Sequence, residues 1–117
     1  MDDTECKRIY KYKNESIMTR DAIIRDFDAH LKKSNRQYYS EFYIGITNNI
    51  DERLFGSHKV PRENHWWIYS PADTEKIARE VEKFYLDKGM RGGTGGGTGN
   101  GDAKYVYCYL VTSYTVE

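Results

Sequence analysis

No stretch of this chain approaches the roughly 18 consecutive apolar residues that a membrane-spanning helix requires, so no membrane partner is expected. The opening residues, MDDTECKRIY, are charged and lack the apolar centre of a secretory signal. Cysteine is scarce. Cys6 and Cys108 are far apart and fit no metal-binding spacing. Without a signal segment they read as reduced thiols, and the expected location is cytoplasmic. A surplus of charge is missing too, with 18 basic and 18 acidic residues. A non-specific nucleic-acid binder usually carries a basic surplus, because counterion release from phosphates drives its affinity. The balance weighs against strong DNA binding through overall charge and leaves room for a local basic face.

What is present fits one domain with one core: 117 residues, 38% hydrophobic, with 11 tyrosines that supply apolar area with a polar tip. Residues 1–18 read as an N-terminal extension in which RIYKYK alternates like a short strand. Thr19 is a helix cap, and Ile23, Ile24, Phe27 and Leu31 follow at helical spacing, predicting a helix over about residues 20–33. YYSEFYIGIT predicts a strand from about Tyr38 to Thr47. Asn48 and Asn49 turn the chain into a short helix, about Ile50 to Ser57. HWWIYS reads as a compact strand, and SPAD as a helix start with proline in the first turn. Ile77, Val81, Phe84 and Tyr85 form an apolar stripe that Gly89 ends. Residues 90–103 are a glycine-rich loop, and AKYVYCYLVTSY is the last strand. Its tyrosines at 105, 107 and 109 share one face, with Val106, Cys108 and Leu110 on the other. The fold class is α/β (α+β): a small antiparallel or mixed three-stranded sheet flanked by helices.

YIGITNNIDERL, Tyr43 to Leu54, carries the chemistry. It resembles the second half of the GIY-YIG endonuclease motif, in which a YIG strand is followed about ten residues on by a helical arginine. Tyr43-Ile44-Gly45 matches the YIG, and Arg53 stands ten residues after Tyr43. The family also places a glutamate on a later helix before an apolar-aromatic pair. In EVEKFYL, Glu82 is the matching position and Glu80 a poorer one. The resemblance covers roughly residues 40–88. It implies a Mg²⁺-dependent site: Tyr43 lines it, Arg53 stabilises the phosphate, Glu82 holds the metal, and Gly45 admits a close backbone approach. Bland roles compete: a core tyrosine at 43, an exposed arginine at 53 paired with Asp51, a solvated glutamate at 82.

The family's GIY strand has no counterpart in LKKSNRQ, where its spacing would put it. RIYKYKN, Arg8 to Asn14, is one substitute, with the 20–33 helix as an insertion. YVYCYL is the other and the favoured one; it makes the sheet circularly permuted and offers Tyr107 as the second site tyrosine. RGGTGGGTGNGD holds seven glycines in twelve residues. It is either a flexible connector or a nest of backbone N–H groups for phosphate, with Arg91, Gly92, Gly93, Gly95 and Gly96 as the ligand-binding candidates. His58 closes the Arg53 helix and reaches the same cleft, or caps the helix; His30 reads as exposed. If HWWIYS is a strand, one of Trp66 and Trp67 faces outward, free to stack on a base or sit at a subunit interface.

Three function classes follow. The first is a GIY-YIG-like, Mg²⁺-dependent endonuclease acting on DNA, in which a homodimer would build the basic groove that a neutral chain lacks. The second is a non-catalytic protein on the same scaffold that sequesters a nucleotide-derived small molecule, as a phage protein capturing a host defence signal would. The third is a protein–protein module that uses the Trp66-Trp67 face.

Overall fold

The computed structural model describes residues 18–93 and 103–117. Helix α1 spans Arg20–Lys32. Thr19 caps it by accepting from the Ala22 N–H at 3.2 Å, and Ile23, Ile24 and Phe27 are buried, as the spacing predicts. A 3₁₀ turn, Tyr39–Glu41, leads into strand β1, Phe42–Thr47. The strand starts later than expected because the Glu41 carboxylate turns back to accept from the Gln37 and Tyr38 N–H groups. A π-helical segment, Asp51–Ser57, follows. Strand β2 is Trp67–Pro71, helix α2 is Glu75–Lys88, and strand β3 is Tyr105–Leu110.

The α2 start corrects the sequence reading. Pro71 does not open the helix; it ends β2, where its missing N–H is harmless on an edge strand. Thr74 is the cap, accepting from the Ile77 N–H at 3.1 Å. Gly89 ends α2 in the left-handed conformation, φ 114°, as a C-terminal glycine should.

The sheet is antiparallel with order β1-β3-β2, so the last strand is the central one. The favoured substitute for the GIY strand therefore lies directly beside the YIG strand. The competing segment, Arg8 to Asn14, lies outside the described residues. The outer edge of β1 is not left open. Arg91 forms a parallel bridge to Tyr43, donating to the Phe42 carbonyl at 2.9 Å while its own carbonyl accepts from Ile44 at 2.8 Å.

Strand alternation divides the core in two. Ile44, Ile46, Val106 and Cys108 face α1 and α2, where they meet Ile23, Phe27, Val81 and Tyr85. Tyr43, Tyr107 and Tyr109 face the other way and are roofed by Ile50, Leu54 and Val60. Both tryptophans are absorbed by this division. Trp66 packs on the helical side and Trp67 on the tyrosine side. His30 is not the exposed residue expected; it stacks on Trp66 at 4.7 Å and bonds the Trp67 carbonyl at 3.1 Å.

The seam after α2 is tight. A Cβ on Gly92 would stand 2.6 Å from the Ile44 carbonyl oxygen, a backbone atom of β1. One on Gly93 would meet nothing within 4 Å. Gly92→Ala should therefore lower the unfolding free energy by about 1–3 kcal/mol, and Gly93→Ala should change it by less than about 0.5 kcal/mol. Urea denaturation of the two variants beside the native chain checks this.

Candidate functional site

The site grows from the register of β1 on β3. Gly45 pairs with Tyr107, and Tyr43 pairs with Tyr109. A Cβ on Gly45 would come within 2.5 Å of the Tyr107 hydroxyl oxygen. The glycine thus makes room for a neighbouring ring rather than for a ligand, which refines the role expected of it. Tyr107 is 1% exposed and its ring is held in this slot.

The π-helix supplies the next two groups. Thr47 and Asn49 open it: the Thr47 hydroxyl accepts from the Asn49 N–H, and the Asn49 side chain accepts from the Glu52 N–H, both at 3.1 Å. At its far end the His58 N–H bonds the Arg53 carbonyl at 3.0 Å, an i→i+5 closure. In an α-helix five residues make about 1.4 turns, and the two side chains would diverge. The wider turn stacks them on one face. The chain leaves this segment through Lys59 in the left-handed region, φ 57°, a costly conformation for a residue with a Cβ.

Both side chains converge on Tyr107. His58 Nε2 lies 2.7 Å from its hydroxyl, and Arg53 Nε donates to the same oxygen at 3.4 Å. His58 Nδ1 is 2.6 Å from the Val116 carbonyl, which only accepts, so Nδ1 carries the proton. Nε2 is then the acceptor, and the Tyr107 hydroxyl donates to it. The Val116 N–H returns a bond to the His58 carbonyl at 2.8 Å. Tyr109 completes the cluster, with its hydroxyl 3.0 Å from His58 Nδ1 and donating to Val116 at 3.2 Å. Tyr43 stacks on Tyr109 at 5.3 Å and on His58 at 4.7 Å, and its hydroxyl lies within electrostatic reach of Arg53.

The environment sets the protonation states. Burial pushes the Tyr107 hydroxyl up to about 12, against the pull of Arg53. Burial lowers the His58 pKa and Arg53 adds to this, while the Val116 bond and Glu117 oppose it. His58 is thus a neutral, correctly oriented proton acceptor behind a tyrosine. Arg53 is the member that reaches the surface, being only partly buried. It does not pair with Asp51, whose carboxylate is engaged by Arg62 at 3.0 Å.

Glu82 comes from α2 on the helical side of the sheet. It is buried, 5% exposed, not solvated, and its Oε2 has no hydrogen-bond partner among the described residues. Burial raises its pKa, with Arg79 opposing, and its charge is felt at Tyr107. A buried carboxyl oxygen without a partner is expensive. Among the described residues no three His, Cys, Asp or Glu side chains cluster to cage a metal. A single carboxylate still suits Mg²⁺, which keeps several waters and takes further ligands from substrate phosphates. Glu82 fits that group as its one protein ligand.

Arg91 and Gly92 stand apart from the cluster. Arg91 donates to the Ser40 carbonyl and pairs with Glu117 at 2.7 Å, and Gly92 is packed on β1. Gly93 is open on all sides, and Gly95 and Gly96 lie outside the described residues. Two groups escaped the sequence reading. Tyr109 was recognisable, since it shares the alternating face of Tyr107. The Val116 carbonyl was not, because a backbone acceptor leaves no mark in a sequence. Comparison with protein-family models, with curated proteins and with solved structures finds no match to this chain.

Two pH effects follow. His58 has a lowered pKa in the folded chain, so its stabilisation is present above its ordinary value of about 6.5 and lost as pH falls below it. His30 shifts the same way, so the native chain should lose thermal stability between about pH 7 and 5, and His58→Gln should show a shallower loss in parallel melts. Glu82 has the opposite sign. Its stabilising neutral form is complete below about pH 4.3 and is lost as pH rises through its raised value. Glu82→Gln should melt above the native chain at pH 7, with the difference vanishing toward pH 4.

Proposed function

We propose that the chain is a metal-dependent phosphodiesterase that cuts nucleic acid, built on a GIY-YIG-like scaffold. The observation that carries this reading is the Tyr107 hydroxyl, bonded at once to the His58 acceptor and the Arg53 fork beside the YIG strand. Hydrolysis requires a water to lose a proton as it attacks phosphorus, and requires charge on the phosphoryl oxygens to be neutralised. Arg53 leaves its long contact with Tyr107 to grip a phosphoryl oxygen, which exposes the tyrosine hydroxyl. Tyr107 takes a proton from the attacking water as it passes its own to His58 Nε2. The water oxygen forms the new bond to phosphorus, the bond to the leaving oxygen breaks, and that oxygen is protonated from solvent. Tyr43 and Tyr109 hold the imidazole in place. A Mg²⁺ on Glu82 would supply further charge neutralisation at the phosphate.

A second reading has its own support. Tyr43, Tyr107 and His58 are all at least nine-tenths buried. A closed cluster beneath one accessible arginine also suits a protein that holds a nucleotide without cutting it. Such binding is independent of Mg²⁺ and of Glu82.

Supercoiled and single-stranded DNA incubated with Mg²⁺ or EDTA separates the two. Cleavage is expected with Mg²⁺ alone, and Arg53→Ala should lower it by about 10²–10³-fold, the cost of removing one charge-stabilising donor. Glu82→Gln should abolish it, and Mg²⁺ should raise the melting temperature of the native chain but not of this variant. Cleavage indifferent to both substitutions overturns the reading.

A further inference from the structure

The tyrosine face of the sheet continues past the cluster as a row of rings. Tyr69 on β2 pairs directly with Tyr107 on β3, so the two rings share a face. Trp67 lies two residues earlier on the same side and is stacked on Tyr69, 6.0 Å apart and 12° from parallel. Tyr105 meets Tyr69 edge-on at 6.4 Å, and Phe55 of the π-helix meets Trp67 edge-on at 5.0 Å. The row is braced from behind. The Trp67 indole N–H donates to the Arg62 carbonyl at 3.1 Å, and the Arg62 guanidinium lies 3.9 Å over the Phe55 ring.

Tyr69 is the open member, 42% exposed, on a strand that has no neighbour on its outer side among the described residues. The row therefore ends in a supported aromatic face turned to solvent, one strand away from the Arg53–Tyr107 contact. Arg53 stands on the inner side, bonded to Tyr107, the strand partner of Tyr69, while Arg62 is held behind the row by Asp51 at 3.0 Å. An apolar peptide would find no use for an accessible guanidinium beside the exposed ring. A polynucleotide carries a flat ring and a phosphate on either side of it.

We propose that Tyr69, backed by Trp67, is a stacking subsite for a nucleobase of an unpaired nucleic-acid strand, next to the phosphate that Arg53 grips. This deepens the phosphodiesterase reading and rests on it for the position of the phosphate. The base must be unpaired, because the faces of paired bases are already covered by their neighbours in the duplex. Selectivity among bases is low, since every base offers a π-face.

The test uses the full chain in EDTA, so that binding is read without cleavage. The probes are a labelled oligothymidylate and an abasic strand of the same length and charge, followed by fluorescence anisotropy. Oligothymidylate should bind about 10-fold tighter than the abasic strand, in line with base–aromatic stacking. It should also perturb tryptophan emission, for which Trp67 is the ring on the bound face. Tyr69→Ala should lose this preference while keeping its affinity for the abasic strand, and Tyr69→Phe should retain it. Equal affinity for the two strands, or a preference that survives Tyr69→Ala, overturns the subsite. So does a dimer in sedimentation that Tyr69→Ala converts to monomer, which would give the face to a second copy. Base-dependent binding by a chain that never cleaves with Mg²⁺ keeps the subsite and removes hydrolysis. Cleavage with no base preference does the reverse.

Discussion

Much of this structure hangs on one buried oxygen. The Tyr107 hydroxyl sits in a slot only as wide as the missing side chain of Gly45, and it is bonded by His58 and Arg53. Three elements must agree for that to happen: the β1–β3 register, the unusual turn between Arg53 and His58, and the final segment that brings Val116 to the imidazole. A slip of one residue between β1 and β3 would move Tyr107 to the helical face, beside Ile44 and Ile46, and turn Val106 and Cys108 away from it. The hydrogen bonds are therefore a register lock. Such networks are high-stakes in a low dielectric, where each unpaired member carries its desolvation cost in full.

The same arrangement explains why irregular backbone gathers here. A π-helical closure and a left-handed lysine at 59 follow one another within nine residues, Asp51 to Lys59. The two helices are capped by ordinary means. Thr19, Thr74 and Gly89 sit where local chemistry wants them.

Some of the site was legible from residue types and spacing. Tyr43, Gly45, Arg53 and Tyr107 were named together, and they meet. His58 was legible as a neighbour of the cleft but not as its central acceptor, because only the Val116 carbonyl fixes its tautomer. Glu82 was named, but its burial was hidden by the charged residues around it in EVEKFYL. Tyr69 carried no signal, since its importance depends on pairing with Tyr107 across two strands that are distant in sequence. The start of α2 was misread because proline was taken as a helix opener when its other habitat, the end of an edge strand, applied.

By itself the sequence determined the local pieces: which segments are helix or strand, where the caps stand, and which side chains alternate onto which strand face. These depend on neighbours a few residues away, and a 3.6 or 2.0 period records them directly. Only the tertiary structure decided that the last strand lies in the middle of the sheet, that Gly45 opens toward a ring, and that Arg53, His58 and Tyr107 share one oxygen. Those facts come from pairings between residues up to 68 positions apart, Phe42 with Leu110 the farthest, and no local period encodes a contact made across that distance.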